Sequence, residues 1–488
     1  MPKSRSLPLV GLVCSLLLTN SFAAEPLLQR TESFSSDPHW EEFRNRLLPE
    51  ELPTVKQDFG YRTSNHARGS SSGEIGGRVQ RSTTPAAYFL PLDSLTLESP
   101  FSASGRFSVR NCEGGSGVMI GWSHDSSRGW RTPNSLAFRI DGNGGKYWVF
   151  YEYGTAHGMT DGAGCFEGDR YQTTKTLPFV ADGTPHRWCL AYDPHAANGN
   201  GAMSLQIDDH LYPPVALAPE HRRDGMLLNR FGIWNVEIAG SHTEVYLDDL
   251  EINGKSFSFD RDPGWQGVGN NIQFQDRIIR PYHDFGFSLS KMIGEQPGEL
   301  GGVIFRDERP AYYATPIGQL SLDDPLHASG KIRMDSAAAD SGFYIGWFNA
   351  AAKRNKDTPE YEQRSTDYLA ALIEGPSRIG HYFRAAYSTR DGRGFSDIDG
   401  RLGSGELPIL HPDHLVHEWE LHYDPQGASG LGEIEILFDG HRRSFALNPG
   451  DRLSGAAFDH FGLFNLQSGG HHVQFAIDDV SFTARSEK

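Results

Sequence analysis

Two strand-like stretches carry side chains suited to holding a sugar. In KYWVFYEY, Lys146 to Tyr153, period-two alternation puts Trp148 and Glu152 on one face and Tyr151 and Tyr153 on the other. In HYFRAAY, His381 to Tyr387, the same alternation sets Tyr382 and Arg384 opposite Phe383 and Tyr387. Sugar rings stack on aromatic faces while their hydroxyls bond planar polar side chains. Charge therefore marks the Trp148 and Tyr382 face as the expected open groove. Arg139, between apolar Phe138 and Ile140, points the same way. The polar loop HDSSRGWRTPN, His124 to Asn134, adds Trp130, Arg131 and Asn134, with Trp130 the expected exposed stacking residue.

Cutting a glycan is a different requirement, since retaining glycosidases hold two carboxyls about 5 Å apart. The nearest grouping is Glu244, Asp248 and Glu251. On a strand, Glu244 and Asp248 share a face and Glu251 points the opposite way. The matching positions near the end of the chain read Gln474, Asp478 and Ser481, so hydrolysis by this set is not expected. There is no G-x-S-x-G elbow, no H-E-x-x-H and no phosphate loop. The histidines show no metal-ligand spacing, and the adjacent His471 and His472 are expected on a solvated hairpin.

The elements that must position these residues come in two copies. RFGIWNVEIAGSHTEVYLDDLEI, Arg230 to Ile252, returns as HFGLFNLQSGGHHVQFAIDDVSF, His460 to Phe482. GEIGG, Gly73 to Gly77, returns as GELGG, Gly298 to Gly302, and SGVMIGW, Ser116 to Trp122, as SGFYIGW, Ser341 to Trp347. HRWCLAYDP, His186 to Pro194, returns as HEWELHYDP, His417 to Pro425. The period is about 225 residues, which gives copies over 34–258 and 259–488. Each copy is a run of short stretches rich in β-branched and aromatic residues, separated by Gly, Pro, Asn and Asp. The expected fold is all-β, two tandem antiparallel β-sandwich domains. Trp122, Trp347, Trp188 and Trp419 fall in apolar strands and are expected in the cores, and His186 and His417 are expected to bond turns. HWEEFRNRLLPEEL, His39 to Leu52, is at most a short helix, cut by Pro49.

Composition narrows the partners. The chain of 488 residues has 45 Lys and Arg against 62 Asp and Glu, a net charge of −17, and this mixed acidic surface gives nucleic acid no footing. Residues 1–23 have a basic start (Lys3, Arg5), an apolar run and small residues at Ser21 and Ala23, the pattern of a signal peptide for secretion or periplasmic export. No later stretch is apolar enough for a transmembrane anchor. Cys112, Cys165 and Cys189 remain beyond the signal, so at most one internal bridge can form.

The closing strands VYLDDLEI and FAIDDVSF, preceded by RFGIWNV and HFGLFNL, together with the SG-x-x-IGW stretch, resemble the concanavalin A-like lectin/glucanase superfamily of jelly rolls, laminin-G-like domains included. The resemblance implies two tandem jelly rolls. Members include lectins, sugar-binding modules, hydrolases, lyases and adhesion domains, so the fold alone selects no function. In some related modules an aspartate of the closing strand holds a structural calcium ion. That implies Asp248, Asp249, Asp478 and Asp479 as candidate ligands, with Asp37 and Asp262 on the opening segments. Calcium wants six to eight oxygens, more than one pair supplies. HYFRAAYST is similar to the YFKAG-x-Y strand of jelly-roll alginate lyases. A lyase neutralises the uronate carboxylate with a basic group and moves the proton with a tyrosine or histidine. The candidates are Arg306, His381, Arg384 and Tyr387, although Tyr387 comes one residue early and the companion R-x-E-x-R and Q-[IV]-H motifs are missing. The expectation is an exported carbohydrate-binding, lectin-like protein whose partner is an extracellular or cell-surface polysaccharide. The alternatives are a jelly-roll lyase or hydrolase, and an adhesion or scaffold protein that binds no glycan.

Overall fold

The computed structural model describes residues 26–47, 51–130, 132–168, 170–278, 282–351, 366–377, 380–396, 404–405 and 408–485. The proposed signal segment and Arg131 lie outside them. Among the described residues the strands form four antiparallel sheets, two of ten strands and two of eight, packed face to face in pairs. Each pair is one jelly-roll sandwich. We call the ten-stranded member of a pair the backing sheet and the eight-stranded member the face sheet.

Alternation along the strands builds both cores. In the first unit, Val118, Ile120 and Trp122 of strand Gly117–Ser123 meet Phe107 and Leu190 of the backing sheet. In the second, Phe343, Ile345 and Trp347 of strand Ser341–Phe348 meet Ile332 and Phe475. Trp188 and Trp419 are buried in the same cores, as their apolar settings predict. His186 and His417 bond the hairpin aspartates Asp208 and Asp439 at 2.8 and 2.6 Å. Cys112, Cys165 and Cys189 are all free thiols.

Packing cuts the chain at different places from the sequence period. Leu27–Glu32 pairs along the last strand, His472–Arg485, while Glu41–Phe43 pairs with Tyr312–Ser321 and Arg46–Leu47 with His283–Ser288. These three N-terminal strands therefore complete the second unit. The first unit is completed by the segment after its own repeat, in which Gln266–Val268 pairs with Ala87–Thr96 and Asn271–Gln275 with Thr54–Arg62. The stretch expected as a short helix is instead edge strand over its described part, because Trp40 enters a core and the backbone finds a sheet to join. Trp40 stacks on Tyr313 at 5.8 Å and meets Phe34 edge-on at 5.5 Å; Trp265 stacks on Tyr88 at 5.9 Å and meets Phe259 at 5.6 Å.

The first glycine of each GE-x-GG motif admits these segments. A Cβ on Gly73 would lie 1.9 Å from the Phe259 carbonyl oxygen, and one on Gly298 would lie 2.0 Å from that of Phe34. With φ of +112° and +119°, both positions also need the conformational freedom of glycine.

Candidate functional site

The outer side of the first unit's face sheet is the face that alternation selects. Trp148, Phe150 and Glu152 point outward from strand Lys146–Gly154, while Tyr151 and Tyr153 enter the core. Arg139 and Asp141 lie beside them on Ser135–Gly142. The face is not an open groove at this end, which corrects the expectation. Trp148 is 6% exposed, with Phe166 edge-on at 5.4 Å and Tyr171 at 5.8 Å. Trp130 is half-buried against the Ala87, Phe89 and Trp234 cluster, with the Arg139 guanidinium 5.2 Å from its ring centre. The loops bring their own aromatics over the sheet because leaving Trp148 and Phe150 in water would cost more than covering them. Asn134 is a turn residue whose Oδ1 accepts the Leu227 amide at 2.7 Å.

Under these loops lies a charge arrangement common to both units. Asp141 accepts from Arg81 and, at 2.8 Å, from Arg139, which also faces Glu152 at 3.5 Å and the Phe150 ring at 4.8 Å. Burial opposes the Arg139 charge, but Glu152 and Asp141 more than offset it and hold its pKa above the ordinary arginine value. In the second unit Glu374 stands in the ladder where Asp141 stands in the first, opposite Gly342 as Asp141 is opposite Gly117. Glu374 is bonded by Arg384 and lies 3.7 Å from Arg306. The second arginine has moved one strand over. Arg384 occupies the place of Phe150, beside Tyr382 in the place of Trp148.

The set proposed for a lyase is divided by its own sheet. Arg306, Arg384 and Tyr382 are on the outer face, whereas His381 and Tyr387 point into the core. His381 is 1% exposed, bonds Ser341 Oγ at 2.8 Å, and is driven down to about 3 by burial and then by His411 and His472. Tyr387 donates to Asp451 at 2.7 Å and accepts the Asn448 amide at 3.0 Å; burial is the main cause of its raised pKa. Neither can reach a substrate lying over Arg384.

The aspartates do structural work in turns and bulges. Asp37 accepts the His39 amide and Asp262 the Gly264 amide. Asp248 and Asp478 each accept the amide of the next residue, Asp249 or Asp479, which takes a positive φ. Asp249 bonds Ser70, and Asp479 bonds Lys331. Burial pushes Asp248 up to about 7. Among the described residues, the one group of three or more ligand atoms within 4.8 Å of one another is His327, Glu420 and His422, and none of the six aspartates joins it. The linear spacing of the histidines gives no sign of this juxtaposition, which forms across two strands. His472 is buried rather than on a solvated hairpin, and burial lowers it to about 3.

A cavity of about 280 Å³ opens on the same outer face, beyond the Trp130 loop. Phe89, Arg230, Trp234, Glu237, Asp125 and Arg128 line it, with Gln266 and Val268 of the exchanged strand at its rim. Arg230 lies over the Phe89 ring at 4.9 Å, and its Nε donates to Ser123 Oγ at 2.7 Å. Among the described residues its two terminal nitrogens meet no hydrogen-bond acceptor, and burial lowers its pKa to about 10. Glu237 is 9% exposed and uses one oxygen to accept the Gly129 amide at 2.7 Å. Burial raises it to about 7 against the pull of Arg128 and Arg230. The sequence reading missed this set, yet a signal was present: in RFGIWN the alternation puts Arg230 and Trp234 on the face away from core residues Phe231 and Ile233. In the second unit the aligned residues are His460 and Phe464, and His460 is taken up by Asp459 and Glu41 at 2.6 and 3.1 Å.

No family model matches the chain, and no curated protein matches it in sequence. Among solved structures, it is similar to domains LG4-5 of the mouse laminin alpha1 chain, at 11% identity over 90% of this chain and 94% of that one, TM-score 0.25. It is similar to an exolytic alginate lyase from Zobellia galactanivorans, at 11% identity over 42% and 89%, TM-score 0.27. It is also similar to the botulinum neurotoxin serotype C1 binding domain, at 8% identity over 87% and 93%, TM-score 0.20. No helix among the described residues is long and apolar enough to cross a membrane. The fold itself, read from the strand pairing of the described residues, is an antiparallel β-sandwich present twice in one chain.

Proposed function

We propose that this is an exported carbohydrate-binding protein and that the Arg230 cavity holds one sugar unit of an extracellular or cell-surface polysaccharide. The observation that carries this reading is the pairing of a fixed guanidinium with two unused nitrogens and a buried carboxyl, in a cavity walled by Phe89 and Trp234. Its volume of about 280 Å³ suits a single ring. Arg230 is held by Ser123 and Phe89 before any ligand arrives, which lowers the ordering cost of binding.

One observation favours a second reading, a jelly-roll lyase or hydrolase. A carboxyl that titrates near 7 can give or take a proton at neutral pH, and Glu237 is such a group. Affinity electrophoresis against neutral and uronate polysaccharides, with parallel assays for unsaturated product and new reducing ends, separates the readings. Retardation without product supports binding; product lost in Glu237→Gln supports the enzyme. Neither signal across a broad panel leaves a scaffold protein.

A further inference from the structure

The backing sheet of the second unit carries a cluster unrelated to the sugar cavity. His327, on strand Leu326–Ala337, is directly opposite His422, on strand His417–Asp424. Their rings lie 4.3 Å apart. Glu420, two residues before His422, shares its face, and its Oε2 is 2.8 Å from His422 Nε2 and 3.8 Å from His327 Nε2. All three are part-exposed, so a hydrated ion can reach them without unfolding anything. Gln29, from the exchanged N-terminal strand, borders the cluster, its amide nitrogen 3.4 Å from His327 Nδ1 and donating to Ser481 Oγ at 2.9 Å.

The fold does not need these residues. The first unit forms the same ladder, with Ser102 opposite Ala191 where His327 is opposite His422, and Ser104 opposite Cys189 where Ser329 is opposite Glu420. Two imidazoles and a carboxylate converging from two strands are the ligand types that a borderline divalent ion such as zinc takes, with further positions left for water.

We propose that His327, His422 and Glu420 form a surface site for a divalent transition-metal ion, zinc first among them, on the second unit only. The site ties two neighbouring strands, Leu326–Ala337 and His417–Asp424.

The test uses the purified full chain, stripped with chelator and titrated with Zn²⁺ alone by calorimetry, with Co²⁺ as a spectroscopic substitute. The expected result is one saturable zinc site and a visible Co²⁺ band, both lost in His422→Ala. The loss in affinity should exceed the roughly 10- to 100-fold that removing an outer partner costs. Glu420→Gln should weaken zinc binding and shift the cobalt band. Absence of a saturable site in the unmodified chain overturns the proposal. So does the same stoichiometry and affinity in a His327→Ala/His422→Ala variant, whose folding is checked by an unchanged thermal midpoint in chelator.

Discussion

Replacing Glu237 by glutamine isolates the electrostatics of the cavity. The carboxyl titrates at about 7 in the folded chain against 4.5 as a free side chain. Between those values the unfolded chain gives up its proton while the folded chain keeps it, so stability falls as pH rises through this window and is level above it. The interval corresponds to about 3 kcal/mol at one tenfold step of protonation per ~1.4 kcal/mol. Glutamine keeps an oxygen for the Gly129 amide and never charges, so the variant escapes this loss. A unit of roughly 220 residues loses or gains roughly 2–4 °C of midpoint per kcal/mol. The midpoint of Glu237→Gln relative to the unmodified protein should therefore climb by roughly 6–12 °C between pH 4.5 and 8.5. Calorimetric scans in matched buffers read this directly. Parallel curves for the two proteins would mean that Glu237 ionises as a hydrated carboxyl, and the reasoning that its burial prepares the cavity would fail.

Trp40→Ala should destabilise the second unit by about 3–5 kcal/mol, because a core aromatic is lost from the exchanged segment. Limited proteolysis should then release fragments from the region after residue 282 while the first unit survives; the reverse pattern would refute the exchange. Tyr387→Phe removes a hydroxyl that serves Asp451 and Asn448, and should cost about 1–3 kcal/mol in urea unfolding while leaving any glycan interaction unchanged. A loss of activity without loss of stability would restore Tyr387 to the chemistry.

Strands, duplication and core tryptophans were legible because short-range alternation and internal repetition act over a few residues at a time. The alternation also separated Trp148 and Glu152 from Tyr151 and Tyr153 on the correct faces. Whether an outward face stays open depends on loops, and Phe166 and Tyr171 reach Trp148 from a segment with no strand pattern of its own. The exchange of Phe34 and Trp40 for Phe259 and Trp265 was hidden for a related reason: the two segments are so alike that the repeat cannot say which core each one fills. His327 and the Glu420–His422 pair sit on strands far apart in sequence, where ligand spacing carries no signal. Arg230 was readable as an arginine beside an apolar strand, but its use depended on Glu237, which follows the strand's end and turns back over the face.

The central claim is that the Arg230 cavity binds sugar, and the most direct measurement is polysaccharide retardation by the unmodified chain and by Arg230→Gln, at equal thermal midpoint. The account predicts a weakening of roughly 10- to 100-fold, the worth of charge-assisted hydrogen bonds from the two terminal nitrogens. Equal retardation of the two proteins, or a loss that follows Arg384→Gln in the second unit instead, would contradict it.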